Sequence, residues 1–234
     1  MSAAMQGHDE LRRTVLSNGL RVVTMTRRGA PLVGIKLFFK VGSRHDGAHP
    51  GIAHFLEHLL LSNTASPAAR TVYRTVEGLG GELNAGTTRE YTALQAVVLA
   101  PHVETVVHLF ADLLQPSAID PASFDRERKI IQEEIDTQAD SSQIIWDLFL
   151  QALWDGHPLA RSITGTSETI GALSIAAVMD HWRLYPAADR IVLAAAGGVD
   201  HDALIRIAES RFGGFHRGPP LEVASPDPAP GRQA

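Results

Sequence analysis

His54, Glu57 and His58 fall in one short run, His54-Phe55-Leu56-Glu57-His58. On a helix, residues four apart lie about one turn apart on one face, so both imidazoles can reach a single metal ion. Glu57 shares that face and is placed to take a proton from a water at the ion. The chain has no cysteine, so a metal here must be held by histidine, carboxylate and water. Two histidines are too few. A catalytic zinc usually has three protein ligands and one position left for water.

The best source of a third ligand is the helical stretch from Phe124 to Ile135. Glu127 and Glu134 are two turns apart and share a face with Ile130 and Ile131, while Glu133 is turned aside. Two carboxylates on a partly apolar face need partners, because burying an unpaired carboxylate is costly. A cation beside that face accounts for the pattern.

These residues need elements to position them. Thr14 to Val23 reads as a hairpin about the Asn18-Gly19 turn, and Pro31 to Val41 as a strand. The motif lies on a helix from Ile52 to Leu61, followed by another over 67–78. Gly80 to Thr87 and Tyr91 to Leu99 read as two strands around a turn. Helices are predicted from Pro101 to Leu114, Ala122 to Ala139, Ile144 to Leu153, Leu173 to Tyr185 and Asp202 to Arg211, with a strand from Arg190 to Ala196. Without strict β-α-β alternation, this order predicts an α+β fold, a mostly antiparallel sheet with helices packed on one face. Residues 1–10 read as a flexible tail, 11–216 as one domain and 217–234 as a Pro-rich linker or tail.

At 234 residues, with 44% hydrophobic and 20% charged, the chain has the composition of a globular protein with a real core. A net charge of −5 gives no basic footprint for nucleic acid or an anionic membrane. No apolar run approaches the roughly 20 residues of a membrane helix. The N-terminus shows no secretory signal, so a cytoplasmic location is expected. Of the other histidines, His157-Pro158 is expected to shape a loop, and Trp146, Trp154 and Trp182 to pack.

The H-x-x-E-H order is the inverzincin pattern, and residues 11–216 resemble the pitrilysin-like zinc peptidases. The resemblance is carried by Asn18-Gly19, by Gly42-Ser43 with Asp46, and by Gly51 to His58. It continues through Gly80-Gly81 with Asn84-Ala85, His157-Pro158, Gly165, Tyr185-Pro186 and Arg211 to Gly214. It implies a zinc site of His54, His58 and Glu134, the last 76 residues after His58. It implies Glu57 as general base, with Glu127 behind a ligand in a catalytic support role. The strand with Gly81, Asn84 and Ala85 would pair with an extended peptide, and Leu61 would line an apolar pocket. Asn63 and Asp189 stand where the family often has glycine and asparagine.

Family subunits usually carry two homologous halves that close like a clamp, and this chain matches one. The resemblance therefore implies an endopeptidase half that needs a homologous partner subunit or self-association. One Zn2+ per subunit is expected, with manganese or cobalt as alternatives. The rival expectation is a non-catalytic scaffold or substrate-presenting subunit. A purely structural zinc is disfavoured by Glu57, because structural sites fill all four positions with protein ligands.

Overall fold

The computed structural model describes residues 9–63, 65–115, 118–138, 142–154 and 156–221. Strands β1 (Glu10–Val15) and β2 (Arg21–Thr26) form the expected hairpin. Asn18 ties the turn to the body: its Oδ1 accepts the Leu20 N–H at 3.2 Å and its Nδ2 donates to the Phe212 carbonyl at 2.8 Å. Gly19 has φ +96°, a conformation that costs glycine little. β3 (Leu32–Phe39) alternates strictly. Val33, Ile35, Leu37 and Phe39 are fully buried or nearly so, while Leu32 is exposed.

The motif helix α1 (Ile52–Ser62) follows, then α2 (Pro67–Gly78), β4 (Glu82–Thr87), β5 (Thr92–Leu99) and α3 (Val103–Leu113). Next come α4 (Pro121–Gln138), α5 (Ser142–Leu153), α6 (Ser167–Gly171), α7 (Ile175–Trp182), β6 (Ile191–Gly197) and α8 (His201–Phe212). α6 was not foreseen from the sequence. It is short and rests on its cap, where Thr166 Oγ1 accepts the Thr169 N–H at 3.2 Å. The helix expected to reach Tyr185 stops at Trp182. Pro186 disfavours helical backbone at the residue before it, which pulls the end back.

The sheet runs β1-β2-β6-β3-β5-β4. All its pairs are antiparallel except β2 with β6, which is parallel. Inward residues such as Val22, Leu193, Ile35, Leu94 and Val98 are at most 1% exposed beneath the helices. The architecture is thus the α+β layer predicted, with one parallel pair. No helix among the described residues is long and apolar enough to cross a membrane.

Apart from the motif side chains and Ser62, α1 is apolar and buried, so packing holds the motif in place. Phe55 is fully buried, with its ring 4.8 Å from that of Phe124 on α4. Phe55→Ala is expected to cost about 3–5 kcal/mol of stability, read by denaturant unfolding. The stretch after α8 is anchored where it begins. Gly218 N–H donates to Asp189 Oδ1 at 2.9 Å, and buried Arg190 donates to the carbonyls of Leu184 and Pro219.

Candidate metal centre

The start of α1 is fixed by a buried carboxylate. Asp46 accepts the N–H groups of Gly51 at 2.7 Å and Ala53 at 3.2 Å, donors that lack partners at a helix N-terminus. Burial pushes its carboxyl up to about 7, against the pull of those two bonds. Gly51 has φ +93°, and a Cβ there would sit 2.7 Å from both Ile170 Cδ1 and the Thr164 carbonyl. Only glycine lets the motif helix begin this close to the 162–166 loop.

The other end of α1 is joined to α4 by Asn63. Its Nδ2 donates to the Ala118 carbonyl at 2.9 Å and its Oδ1 accepts the Asp120 N–H at 3.0 Å. Asp120 in turn accepts the Ser123 N–H at 2.8 Å in the first turn of α4. Arg126 reaches back to the Ser62 carbonyl at 3.0 Å. Glycine at position 63 could make neither amide contact, so the residue that stood out in sequence clamps the two metal-site helices together.

On the facing surfaces of these helices, His54 Nε2 lies 3.8 Å and His58 Nε2 3.7 Å from Glu134 Oε2. The three ligand atoms all lie within 4.8 Å of one another, and they form the one such group among the described residues. Glu127 is 5% exposed and sits behind His58, with Oε2 3.2 Å from Nδ1. That bond places a proton on Nδ1 and frees the Nε2 lone pair toward Glu134. Arg126 Nε donates to the other Glu127 oxygen at 3.2 Å. Ile130, expected on this face, is 42% exposed. It lies about 60° round the helix from Glu127, at the solvent rim. His54 Nδ1 is buried with no hydrogen-bond partner among the described residues.

Charge is strongly biased here. Burial, with help from His58, lowers the His54 pKa to about 3, so its imidazole is neutral. Burial also opposes charge on His58, but its bond to Glu127 and the charges of Glu57, Glu127 and Glu134 outweigh that and raise it. Burial raises Glu57 above the ordinary carboxylate range, more than its hydrogen bond from Thr87 lowers it. For Glu127 burial is overcome, chiefly by the bond to His58, and its pKa falls.

The sequence reading missed Thr87. Its hydroxyl donates to Glu57 Oε2 at 2.7 Å and lies 3.3 Å from Thr92 Oγ1. Thr92 bonds the Val41 carbonyl at 3.0 Å and the buried Tyr185 hydroxyl at 3.1 Å. Strand parity held the only clue: Thr87 is two residues beyond Ala85, so it faces the helices as Leu83 and Ala85 do.

β4 is the edge of the sheet, so its outer backbone groups are not taken by another strand among the described residues. Gly81 enters it where a Cβ would meet the Val97 carbonyl at 2.6 Å. Ala85 is half-buried on the helix side. Asn84 lies on the opposite, helix-free face beside Gln95, and its Oδ1 accepts the Ala85 N–H at 2.8 Å. Leu61 is 7% exposed within the hydrophobic core, which leaves little of it to meet a ligand. Trp182 is buried as expected, but Trp146 is 52% exposed. It stacks on Phe149 at 5.3 Å along an apolar side of α5 that faces solvent. The buried side of α5 is pinned by Asp147, which pairs with Arg89 of the β4–β5 turn at 2.6 Å. His157 caps the turn at Pro158–Ala160 through the Leu159 N–H.

The family described as Insulinase (Peptidase family M16) matches residues 21–167. A protein of Mycobacterium leprae named an uncharacterized zinc protease is 37% identical over 204 residues, 86% of this chain and 46% of that one. Cytochrome b-c1 complex subunit 1 of Rattus norvegicus is 33% identical over 211 residues, 89% of this chain and 44% of its own. The chain thus spans about half the length of these relatives. Among solved structures, an M16 peptidase inactive domain from Pseudomonas fluorescens superposes with a TM-score of 0.83 at 21% identity, covering 94% of this chain and 54% of the other. Pitrilysin gives 0.82 at 22% identity, over 96% of this chain and 25% of its own. With the matched family spanning well over half of the sequence and the fold shared throughout, the chain belongs to the M16, or insulinase, family of peptidases.

Proposed function

We propose that this chain is the metal-bearing half of a zinc-dependent endopeptidase that cuts peptides or unfolded segments, with a second half completing the clamp. The observation that carries this reading is the approach of His54 Nε2 and His58 Nε2 to Glu134 Oε2 at 3.8 and 3.7 Å. Such separations suit ligand atoms each about 2.0–2.2 Å from one zinc ion. The neutral His54, and a His58 proton held on Nδ1 by Glu127, suit the donor set to a divalent cation. When bound, the ion supplies Lewis acidity.

The remaining chemistry falls to this chain's own residues. Glu57 accepts the proton of the attacking water on a carboxylate oxygen and delivers it to the leaving amine. Thr87 fixes the carboxylate through its 2.7 Å bond. Burial raises the Glu57 pKa, which makes its carboxylate a stronger base toward that proton. Glu127 orients His58. An extended substrate adds to the β4 edge from Gly81 through Asn84 to Ala85, bonding backbone to backbone. The Asn84 side chain faces away from the metal ligands, so its contribution is main-chain. The unmatched half supplies further donors for the oxyanion.

The test is metal analysis joined to peptide cleavage read by mass spectrometry, on this chain alone and with the unmatched half of a relative. Bound zinc with cleavage in either arrangement supports the reading. Absence of metal sinks it. Affinity for zinc is also expected to depend on pH. A metal ligand must be unprotonated, and His58 holds its proton to a higher pH than an ordinary histidine. Titration by calorimetry should show zinc affinity falling with acidification from above the usual histidine range, and recovering as pH rises.

A second reading is a scaffold that presents substrate to another subunit. It is favoured by two relatives, one named a cytochrome b-c1 complex subunit and one titled an inactive domain. It predicts that Glu57 is dispensable.

A further inference from the structure

Segments distant in sequence meet at the end of the sheet where β3 stops. Lys40, just past β3, donates its N–H to the Arg190 carbonyl at 3.0 Å. The N–H groups of Ser43 and Arg44 donate to the Thr88 and Arg89 carbonyls of the β4–β5 turn at 3.0 and 2.9 Å. The stretch after α8 joins them, where the Ala188 N–H donates to the His216 carbonyl at 2.9 Å. Between these segments lies a cavity of about 460 Å³, a size that holds a small ligand. It shares no residue with the metal triad.

The lining is basic. Lys40, Arg44, His45 and Arg190 border the cavity against two carboxylates, Glu90 and Asp189. Both carboxylates have partners: Glu90 accepts from Arg44 at 2.8 Å, and Asp189 accepts the Gly218 N–H at 2.9 Å. The exposed Lys40 ammonium forms no ion pair among the described residues. Burial lowers the His45 pKa, and the charges of Arg44 and Arg190 add to that against a bond to Gly42 and the pull of Glu90. Neighbouring cations thus repel a further proton at His45.

Arg190 sets the requirement for a ligand. It is 5% exposed and has no carboxylate at ion-pairing distance among the described residues. The Leu184 and Pro219 carbonyls take two of its five N–H donors, which leaves three for a ligand. Carbonyls cancel no charge, and a buried ion without a counter-ion is costly. Asp189 eases this only in part, so burial still lowers the Arg190 pKa. Gly218 crosses the guanidinium so closely that a Cβ there would lie 2.6 Å from Nη2 and 2.7 Å from Cζ. An apolar side chain of like volume would fill this place without that cost. The rest of the lining is apolar: Tyr91, set edge-on to Phe38 with ring centroids 5.4 Å apart, and Leu221 after the Pro219-Pro220 pair.

We propose that this cavity binds a small organic anion, with a phosphate or carboxylate head on Arg190 and Lys40 and an apolar body against Tyr91 and Leu221. The head supplies the counter-charge that Arg190 lacks, through charge-assisted hydrogen bonds. The ligand also ties the stretch after α8 to the end of the sheet. The site stands apart from the peptidase reading and does not depend on it.

The probes are inorganic phosphate, phenyl phosphate and benzoate, titrated by calorimetry into the full chain at constant ionic strength. Each titration is run on zinc-loaded and on metal-free protein, because zinc itself can hold an oxyanion. The variants are Arg190→Met, Lys40→Gln and, as a control, Arg206→Gln at an exposed position on α8. Thermal melting is measured on every sample with and without probe. The expected result is saturable one-to-one binding of phenyl phosphate or benzoate that raises the melting temperature and is the same with and without zinc. Arg190→Met should weaken it by about 10-fold or more, as for loss of a charge-assisted hydrogen bond. Lys40→Gln should weaken it several-fold and Arg206→Gln not at all. Lys40 is exposed, so its variant keeps the test decisive even if Arg190→Met fails to fold. The tighter of the two aryl probes identifies the head group. Absence of saturable binding by all three probes overturns the proposal. So does binding confined to zinc-loaded protein, affinity unchanged in both cavity variants, or a phenyl group that adds nothing to phosphate.

Discussion

Glu57→Gln is expected to leave zinc bound and to slow peptide cleavage by about 10²–10⁴-fold, the usual contribution of a positioned acid–base group. Glutamine keeps the shape of the side chain and can still accept the Thr87 hydrogen bond, but it cannot take a proton. Glu57 is no member of the triad formed by His54, His58 and Glu134, so metal content should not change. Mass spectrometry of the cleaved peptide and metal analysis of the same sample check both halves of the claim. Equal cleavage by wild type and variant would remove Glu57 from the chemistry. It would favour the scaffold reading, in which any cleavage belongs to another subunit.

Glu134→Ala is expected to have the other large effect, loss of tight zinc binding. Two histidines on one turn of helix leave the ion without its anionic ligand and with one protein ligand fewer than catalytic sites use. The comparison that gives this meaning is Glu127→Gln. Glu127 touches His58 on the side away from Glu134, at 3.2 Å from Nδ1. Its loss should weaken zinc by about 10–100-fold, the range for removing a hydrogen-bond partner of a ligand. Glutamine at 127 can still accept from Nδ1 through its amide oxygen, so the effect should fall at the lower end. Competition with a chelating dye separates the two glutamates. If Glu127→Gln proved worse than Glu134→Ala, the assignment of ligand and support would be reversed.

The parts of the fold legible in sequence were those written in local chemistry. Asn18-Gly19 marked a hairpin, the alternation of Val33 to Phe39 marked a strand, and the spacing of His54, Glu57 and His58 marked one helix face. Seven-residue spacing also put Glu127 and Glu134 on one surface, although the structure alone reveals that Glu127 approaches the far nitrogen of His58. Other contacts depend on segments distant along the chain. Asn63 looked like a mere departure from a family pattern, and its partners are 55 and 57 residues away. Thr87 meets Glu57 across 30 residues. His201 is buried between Thr14 and Thr24, with a ring nitrogen on each hydroxyl at 2.9 and 2.8 Å. Nothing within a few residues of these positions signals the partner. Trp146 shows the converse limit: an aromatic in an apolar helix reads as core, and only packing around the other side of α5 leaves it in solvent.

The bond between Thr87 and Glu57 has a consequence for how such a site chooses where to cut. Thr87 ends β4, the same strand proposed to receive substrate. On that reading the acid–base group is fastened to the ruler against which the peptide is laid. A strand advances about 3.4 Å per residue, and its side chains return to the same face every second residue. Sliding the peptide by one residue would reverse which side chains meet the protein, and sliding by two would bring the next equivalent bond to Glu57. Cleavage position would then be counted along the main chain from a fixed mark, with side-chain identity only adjusting which count is preferred.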